Sequence, residues 1–303
     1  MSDTKNIVVF GATGLQGTAL INALTKYNTS TSTRFNVFAF SRSPSAPSST
    51  RLASLPGVEV VEVAKDYMDD PTKAFEASGL AKGEVDGVFS VQGYVSEAAE
   101  LKQGKTIIDV AKEWGVKHFI YSSVDLGDLD DTKVPVFEVK RQIENHLKSS
   151  GLDYTILRPA QFMDNLLPTS PFMFKISRTI LLRHTFINHP ERKHQLISSA
   201  DIGKFAALAF SQPSEWRGKT VSLAGDQLTT DEIESVYKEV LGKEVELTYW
   251  PLARFVKIVS PLGPMARFFD DHGGKVDVQQ IKNDLPEVED LRAFLQRYKA
   301  SHQ

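Results

Sequence analysis

Through the first half of the chain, short apolar runs alternate with longer stretches of helical spacing, the pattern left by βαβ units around a parallel sheet. Residues 7–10 are an unbroken apolar run, as a strand covered on both faces requires. Residues 15–26 then set Leu15, Ala19, Leu20, Ala23 and Leu24 on one helical face. Further strands are predicted over 35–40, 58–63, 87–91 and 118–122, with helices around 71–78, 98–115 and 136–150 between them. A sixth strand over 153–157 is predicted to stop at Arg158-Pro159, because proline has no N–H to give a ladder. The polar stretches 28–33 and 44–49 read as surface loops.

Beyond Pro159 the alternation fades. An aromatic, proline-containing stretch over 162–174 precedes a strand-like 195–197 and helices over about 201–210 and 231–241. Thr229 stands three residues before Glu232, a capping box, and Gly242 lies just past the end of that helix. The fold class that follows is α/β: a Rossmann doubly wound parallel sheet over 1–158 and a smaller C-terminal α/β subdomain over 159–303. The subdomain is expected over the carboxyl edge of the sheet, packing partly back on the Rossmann core.

Composition narrows the chemistry. The formal charge is -3, from 35 basic and 38 acidic residues, which gives no overall field to hold a polyanion or an anionic membrane. Neither nucleic acid nor membrane is therefore an expected partner. The absence of cysteine excludes disulfides, thiolate metal sites and a cysteine nucleophile. No metal site is expected: His184, His189 and His194 lie with Arg183, Arg192 and Lys193 in what reads as a basic surface loop. No apolar stretch approaches the roughly 20 residues of a bilayer span, and a cytoplasmic location is expected, with the nucleus as the alternative.

The first strand runs directly into Gly11-Ala12-Thr13-Gly14-Leu15-Gln16-Gly17. A tight turn from a buried strand into a helix needs residues without a Cβ where the backbone swings and where a pyrophosphate comes close. Gly11, Gly14 and Gly17 occupy those places, and Thr13, Leu15 and Gln16 complete the predicted cradle. The helix N-terminus then offers unpaired N–H groups and a positive dipole end to the phosphates. The apolar strand before and the amphipathic helix after give the glycine triplet its meaning as a dinucleotide signature.

Cofactor choice is set at the end of the second strand, where a carboxylate would bind a free ribose hydroxyl and an arginine a 2′-phosphate. The sequence there is Phe40-Ser41-Arg42-Ser43, with no carboxylate. The planar fork of Arg42 suits a phosphate, with Ser41 as a second donor. NADP(H) is the expected cofactor and NAD(H) the alternative. Asp66, after the third strand, is placed to accept from the adenine amine.

The later motifs carry a resemblance. Residues 57–67, Val88-Phe89-Ser90-Val91, Gln103-Gly104-Lys105 leading to His118-Phe119-Ile120-Tyr121-Ser122-Ser123, and Leu157-Arg158-Pro159 with Phe162-Met163-Asp164-Asn165 occur in the order of the NmrA-like family. The chain resembles that family of atypical short-chain dehydrogenases/reductases over nearly its full length. The family includes redox-sensing regulators and is related to isoflavone reductase-like enzymes. The resemblance implies a cofactor across the carboxyl edge of the sheet, with Ser90, Val91 and Gln92 near the ribose and Pro159 and Phe162 near the nicotinamide.

It also sharpens the catalytic question. Classical members of the superfamily carry a tyrosine four residues before a lysine, so that both project from one helical face. Here Lys140 is present and the position four before it is Val136, which has no proton to give. By the resemblance Lys140 contacts the cofactor, while Ser122 or Ser123 orients a carbonyl. The substitute proton donor is Lys140 itself, Tyr94 or Tyr121.

Two readings stay open. The missing tyrosine points to a cofactor-sensing regulator with a protein partner, whose docking surface would be 261–274, with Met265, Phe268 and Phe269 beside Asp270 and Asp271. The retained lysine and the aromatic-rich second half point to an NADPH-dependent reductase of a small apolar carbonyl or enone.

Overall fold

The computed structural model describes residues 4–30, 33–93, 95–169, 171–187 and 189–302. In chain order the first half contains β1 (Thr4–Val9), α1 (Leu15–Ser30), β2 (Arg34–Ser41), α2 (Pro47–Ala53), β3 (Val58–Glu62), α3 (Pro71–Ala77), β4 (Gly87–Ser90), α4 (Glu97–Glu113), β5 (Phe119–Ser122), α5 (Pro135–Ser149) and β6 (Tyr154–Pro159). The second half contains β7 (Gln161–Phe162), α6 (Phe172–His184), β8 (His194–Ile197), α7 (Ser199–Ser211), α8 (Pro213–Trp216), β9 (Lys219–Leu223), β10 (Asp226–Leu228), α9 (Thr230–Leu241), α10 (Trp250–Val259), α11 (Leu262–His272), α12 (Val278–Asp284) and α13 (Leu291–Ala300).

These elements form two compact units. Unit one comprises Met1–Ser123, Val139–Arg158 and Ile202–Val221, and unit two Val124–Glu138, Pro159–Asp201 and Ser222–Gln303. The chain crosses between them several times, so each is described by itself.

Unit one is built on a seven-stranded sheet of order β3-β2-β1-β4-β5-β6-β9. Its strands run in parallel, β1 pairing with both β2 and β4. Ile7, Val8 and Val9 are wholly buried, as the unbroken apolar run requires when helices cover both faces. The order reverses between β1 and β4, since β2 and β3 extend one way and β4 onward the other. In such sheets the carboxyl ends of the two strands at the reversal frame a crevice that a dinucleotide can enter.

Unit two carries a second sheet, β10-β8-β7, with β8 antiparallel to β10 and parallel to β7. Its core packs Met163, Leu166, Leu182 and Leu196 against Ile233, Tyr237, Leu291 and Phe294. The capping box at Thr229 and Glu232 is formed, and Gly242 closes α9 in the left-handed region.

Local structure departs from expectation in several places. Residues 44–49 do not form a simple loop, because α2 begins at Pro47, whose fixed φ and missing N–H suit a helix's first turn. β6 runs through Pro159, since that residue's carbonyl still accepts from the Asp125 amide at 3.0 Å even though its own donor is lost. The aromatic stretch over 162–174 runs into a helix, α6, which begins at Phe172. His184 and His194 are buried, and burial lowers the pKa of both, so the basic surface loop is reduced to its exposed members such as His189. Among the described residues no helix is long and apolar enough to cross a membrane.

Candidate functional site

The turn after β1 has the geometry its glycines predict. Gly11 adopts φ +75, which favours a residue without a Cβ. A Cβ on Gly17 would lie 2.3 Å from the Gly11 carbonyl oxygen, so only glycine lets the first turn of α1 close on the loop. The loop is held by Gly14 N–H on the Gly11 carbonyl at 3.0 Å and by the Thr18 hydroxyl on the Ala12 carbonyl at 3.1 Å. Thr13, Gly14 and Leu15 remain exposed, at the end of the helix whose first amides have no carbonyl one turn earlier to receive them.

The end of β4 meets this turn. A Cβ on Gly11 would touch Val91, at 3.0 Å from Cγ1 and 3.1 Å from the carbonyl oxygen, so two predicted cofactor residues are brought together. Gln92 donates to the Ser90 hydroxyl at 2.9 Å, while its own buried Oε1 has no partner among the described residues. The Ser122 hydroxyl, at the end of β5, donates to Gln16 Oε1 at 2.5 Å. The reversal point of the sheet therefore gathers Gly11, Gln16, Val91 and Ser122 through direct contacts. An exposed amide-lined turn and an orphaned buried amide oxygen fit a dinucleotide in this crevice.

At the end of β2, Arg42 is exposed, whereas the Ser41 hydroxyl is turned inward, 2.8 Å from Ser49 Oγ. Asp66 is exposed after β3. Its neighbour Tyr67, marked in sequence only as the end of the 57–67 stretch, meets the turn directly: its hydroxyl accepts from the Gly11 amide at 3.3 Å and its ring stacks on Phe10. Burial raises the Tyr67 pKa, opposed by the Gly11 bond and the charge of Arg42.

Lys140 is not a solvated helix lysine. Its ammonium lies 2.6 Å from Glu100 Oε1, with the two side chains 20% and 11% exposed. Packing explains the meeting: one turn further along each helix, a Cβ on Gly104 of α4 would lie 2.5 Å from Ile143 Cδ1 of α5. The missing side chain lets the helices approach closely enough for the short carboxylate and the lysine to pair. Four residues after Lys140, Glu144 is completely enclosed. It accepts from the Ser123 hydroxyl at 2.6 Å and takes the Arg158 guanidinium in a fork, at 2.9 and 2.6 Å.

Residues 3–295 match the sequence profile of the NmrA-like family. The chain belongs to that family. It is 27% identical over 257 residues to an NmrA-like family domain-containing oxidoreductase of Aspergillus hancockii, covering 80% of this chain and 74% of that protein. Among solved structures it resembles NmrA, a negative transcriptional regulator in complex with NADP, with TM-score 0.68 at 17% identity over 100% of this chain and 99% of the other. It also resembles an NADPH-dependent quinone oxidoreductase of Escherichia coli complexed with NADPH, with TM-score 0.71 at 21% identity, covering 97% and 99%. At these identities the two structures speak for a shared fold.

In this family member the remaining candidates are placed as follows. Tyr121 is wholly buried, and burial, then Glu100 and Glu144, push its phenol well above the ordinary value, which makes it a poor proton donor. Tyr94 lies outside the described residues. Ser123 has its hydroxyl committed to Glu144, which leaves Ser122 as the serine nearer the loop. Pro159 and Phe162 belong to unit two, at the end of β6 and in β7. Met265 and Phe269 pack with buried Phe268 around Phe137, so the apolar side of 261–274 is turned inward. Glu100 could not be read as a partner from sequence, because it lies 40 residues from Lys140 with no local spacing to mark the pair.

Proposed function

We propose that this chain binds NADP(H) and reduces a small apolar carbonyl or enone, with Lys140 giving the proton. The observation that carries the reading is the Lys140–Glu100 pair, an ammonium held at 2.6 Å by a carboxylate yet still partly exposed. Exposed Arg42, with no carboxylate at the end of β2, supports NADP(H) over NAD(H). The NADP and NADPH held by two structural neighbours and the oxidoreductase name of the Aspergillus relative support the same reading.

The glycine turn would hold the pyrophosphate with the Leu15 and Gln16 amides, and Arg42 would meet the 2′-phosphate. Bound NADPH supplies a hydride. Ser122, exchanging its bond to Gln16 for one to the substrate oxygen, would hold that oxygen, and Lys140 would donate a proton to it, with Glu100 keeping the ammonium in place. Reduction by purified protein, followed as NADPH consumption with quinones, aldehydes and enones, is expected and is abolished in Lys140→Met. In Arg42→Ala, NADPH binding weakens roughly tenfold while NADH binding is unchanged.

A cofactor sensor acting on a protein partner is the second reading. It is favoured by Val136, half-buried in an apolar cluster where the superfamily's tyrosine would stand. Tight NADPH binding with no consumption by any member of the panel would transfer the conclusion to the sensor.

A further inference from the structure

We propose that Ser45 is a phosphorylation site, and that its phosphate draws Arg42 away from the 2′-phosphate of NADP(H). After β2 the chain reads Arg42-Ser43-Pro44-Ser45-Ala46-Pro47. The Ala46 amide donates to the Ser43 carbonyl at 3.0 Å, which closes a turn with Pro44 and Ser45 as its central residues. Proline suits the first of these places because its φ is preset. Ser45 therefore stands at the tip, and it is exposed. Other hydroxyls nearby are engaged: Ser41 faces Ser49 at 2.8 Å in the interior, and Thr50 donates to the Ala46 carbonyl at 3.3 Å. Ser43 is exposed as well, but it follows the arginine directly.

The segment can be presented to an enzyme. The Ser43 amide donates to the Ser41 hydroxyl at 3.2 Å, which ties the start of the turn to the end of β2. Ala46 is extended, as the residue before a proline prefers, so releasing the main-chain bond that closes the turn opens the segment around Ser45. Protein kinases select serines by the charge pattern around them. An exposed arginine three residues before an exposed serine suits the acidic groove of an arginine-directed kinase. In the transfer, Ser45 Oγ attacks the γ-phosphorus of ATP. The new O–P bond forms as the bond to the bridging oxygen breaks, ADP leaves, and the hydroxyl proton passes to the kinase's base.

The product carries about -1.5 to -2 charge at pH 7 and three acceptor oxygens. Arg42 is three residues away, at most about 11 Å along a fully extended backbone and nearer in a turn. A guanidinium fork pairs well with a phosphate, and one fork does not serve two dianions. The position of Arg42 gives the capture a consequence: its charge reaches Tyr67, whose hydroxyl holds the Gly11 amide of the glycine turn. That consequence rests on the reading of Arg42 as the residue that meets the 2′-phosphate. NADH, with a free ribose hydroxyl there, has no such contact to lose.

The test treats the full chain with Mg·ATP and a calmodulin-dependent protein kinase, a class directed by arginine three residues before serine. Intact mass reads occupancy and fragment mass reads position. A phosphate on Ser45 is expected, and its fragment stays unmodified in Ser45→Ala. NADPH affinity, read from nucleotide fluorescence, should then fall at least roughly tenfold while NADH affinity stays within about twofold. By reciprocity, bound NADPH should slow phosphorylation of Ser45 and NADH should not. In Arg42→Ala with phosphoserine installed at position 45 during translation, the phosphate should change NADPH binding by less than about threefold. An unmodified Ser45, or a phosphate on Ser43 in its place, would overturn the proposal. So would phosphorylated Ser45 with NADPH binding unchanged, or an equal loss with and without Arg42. If Arg42→Ala weakens NADPH binding and the phosphate does not, the proposal falls and the cofactor reading stands. If Arg42→Ala leaves NADPH binding unchanged, the cofactor reading falls and takes the capture of Arg42 with it, whereas a phosphate found on Ser45 still establishes the site.

Discussion

Glu144 and Glu100 each hold a cation at 2.6 Å in unit one, yet their surroundings differ. Glu144 is 1% exposed and faces a forked guanidinium and a serine hydroxyl, with the Lys148 ammonium 3.6 Å away. A carboxylate taken fully out of water loses its hydration, and the loss is offset only when its lone pairs are nearly all used. Glu100 is 11% exposed against a lysine 20% exposed, and an ammonium has three donors, so one carboxylate oxygen does not exhaust it. The closed pair joins β5, α5 and β6 into one body. The open pair keeps a charged group available to a ligand.

The largest expected effect comes from breaking the closed pair. Arg158→Ala strips the guanidinium fork from buried Glu144, leaving it the Ser123 hydroxyl and the more distant Lys148 ammonium, and should lower unfolding free energy by about 3 kcal/mol, read from a urea titration. Replacing both members with methionine should recover much of that loss, because the buried charge goes as well. A single-variant loss below about 1 kcal/mol would mean that water reaches Glu144.

Acid sharpens the contrast by acting on a buried group with no charged partner. His118 is 2% exposed against Thr155, and burial pushes its pKa from 6.5 down to about 4. Between those values the unfolded chain binds a proton that the folded chain refuses. Stability is therefore complete above about pH 6.5, falls as the pH drops towards 4, and changes no further from this group below that. The integrated loss is about 3 kcal/mol. In His118→Gln the pH slope of unfolding free energy in this window should fall by one proton's worth, and an unchanged slope would assign the acid sensitivity elsewhere.

These pairs also show what could be read from sequence and what could not. The unbroken apolar run before Gly11 and the helical face after it determine the sheet and the turn locally, so the glycine cradle was legible. Lys140 was visible as a residue type at helical spacing from Val136. Glu100 and Glu144 were not visible as its partner and its neighbour's lock, since their pairings depend on Gly104 letting two helices approach and on β6 bringing Arg158 beside α5. The contact of Tyr67 with Gly11 was illegible for the same reason, its hydrogen bond spanning 56 residues. In the second half, α10, α11 and α13 each gather their apolar positions on one helical face, so these helices were legible, and only what those faces meet was not.

A smaller effect separates the two serines. Ser123→Ala removes a donor to a buried carboxylate and should cost about 1.5–3 kcal/mol in thermal or chemical unfolding. Ser122→Ala, whose partner is the half-buried Gln16, should cost less and instead weaken carbonyl reduction. Equal costs would mean that the end of β5 is structural throughout.

The smallest expected effect on stability is at the open pair, and it tests the distinction most directly. Glu100→Gln keeps the shape of the side chain and removes its charge, and should change unfolding free energy by less than about 1 kcal/mol, as for partly exposed pairs. If Glu100 acts by positioning Lys140, kcat for carbonyl reduction should fall roughly tenfold while KM for NADPH stays within about twofold, a loss realised in the transition state alone. Glu100→Asp, which restores the charge on a shorter arm, should recover part of kcat. A Glu100→Gln protein as unstable as Arg158→Ala, or one with kcat unchanged, would place both carboxylates in the framework and leave Lys140 without a dedicated partner.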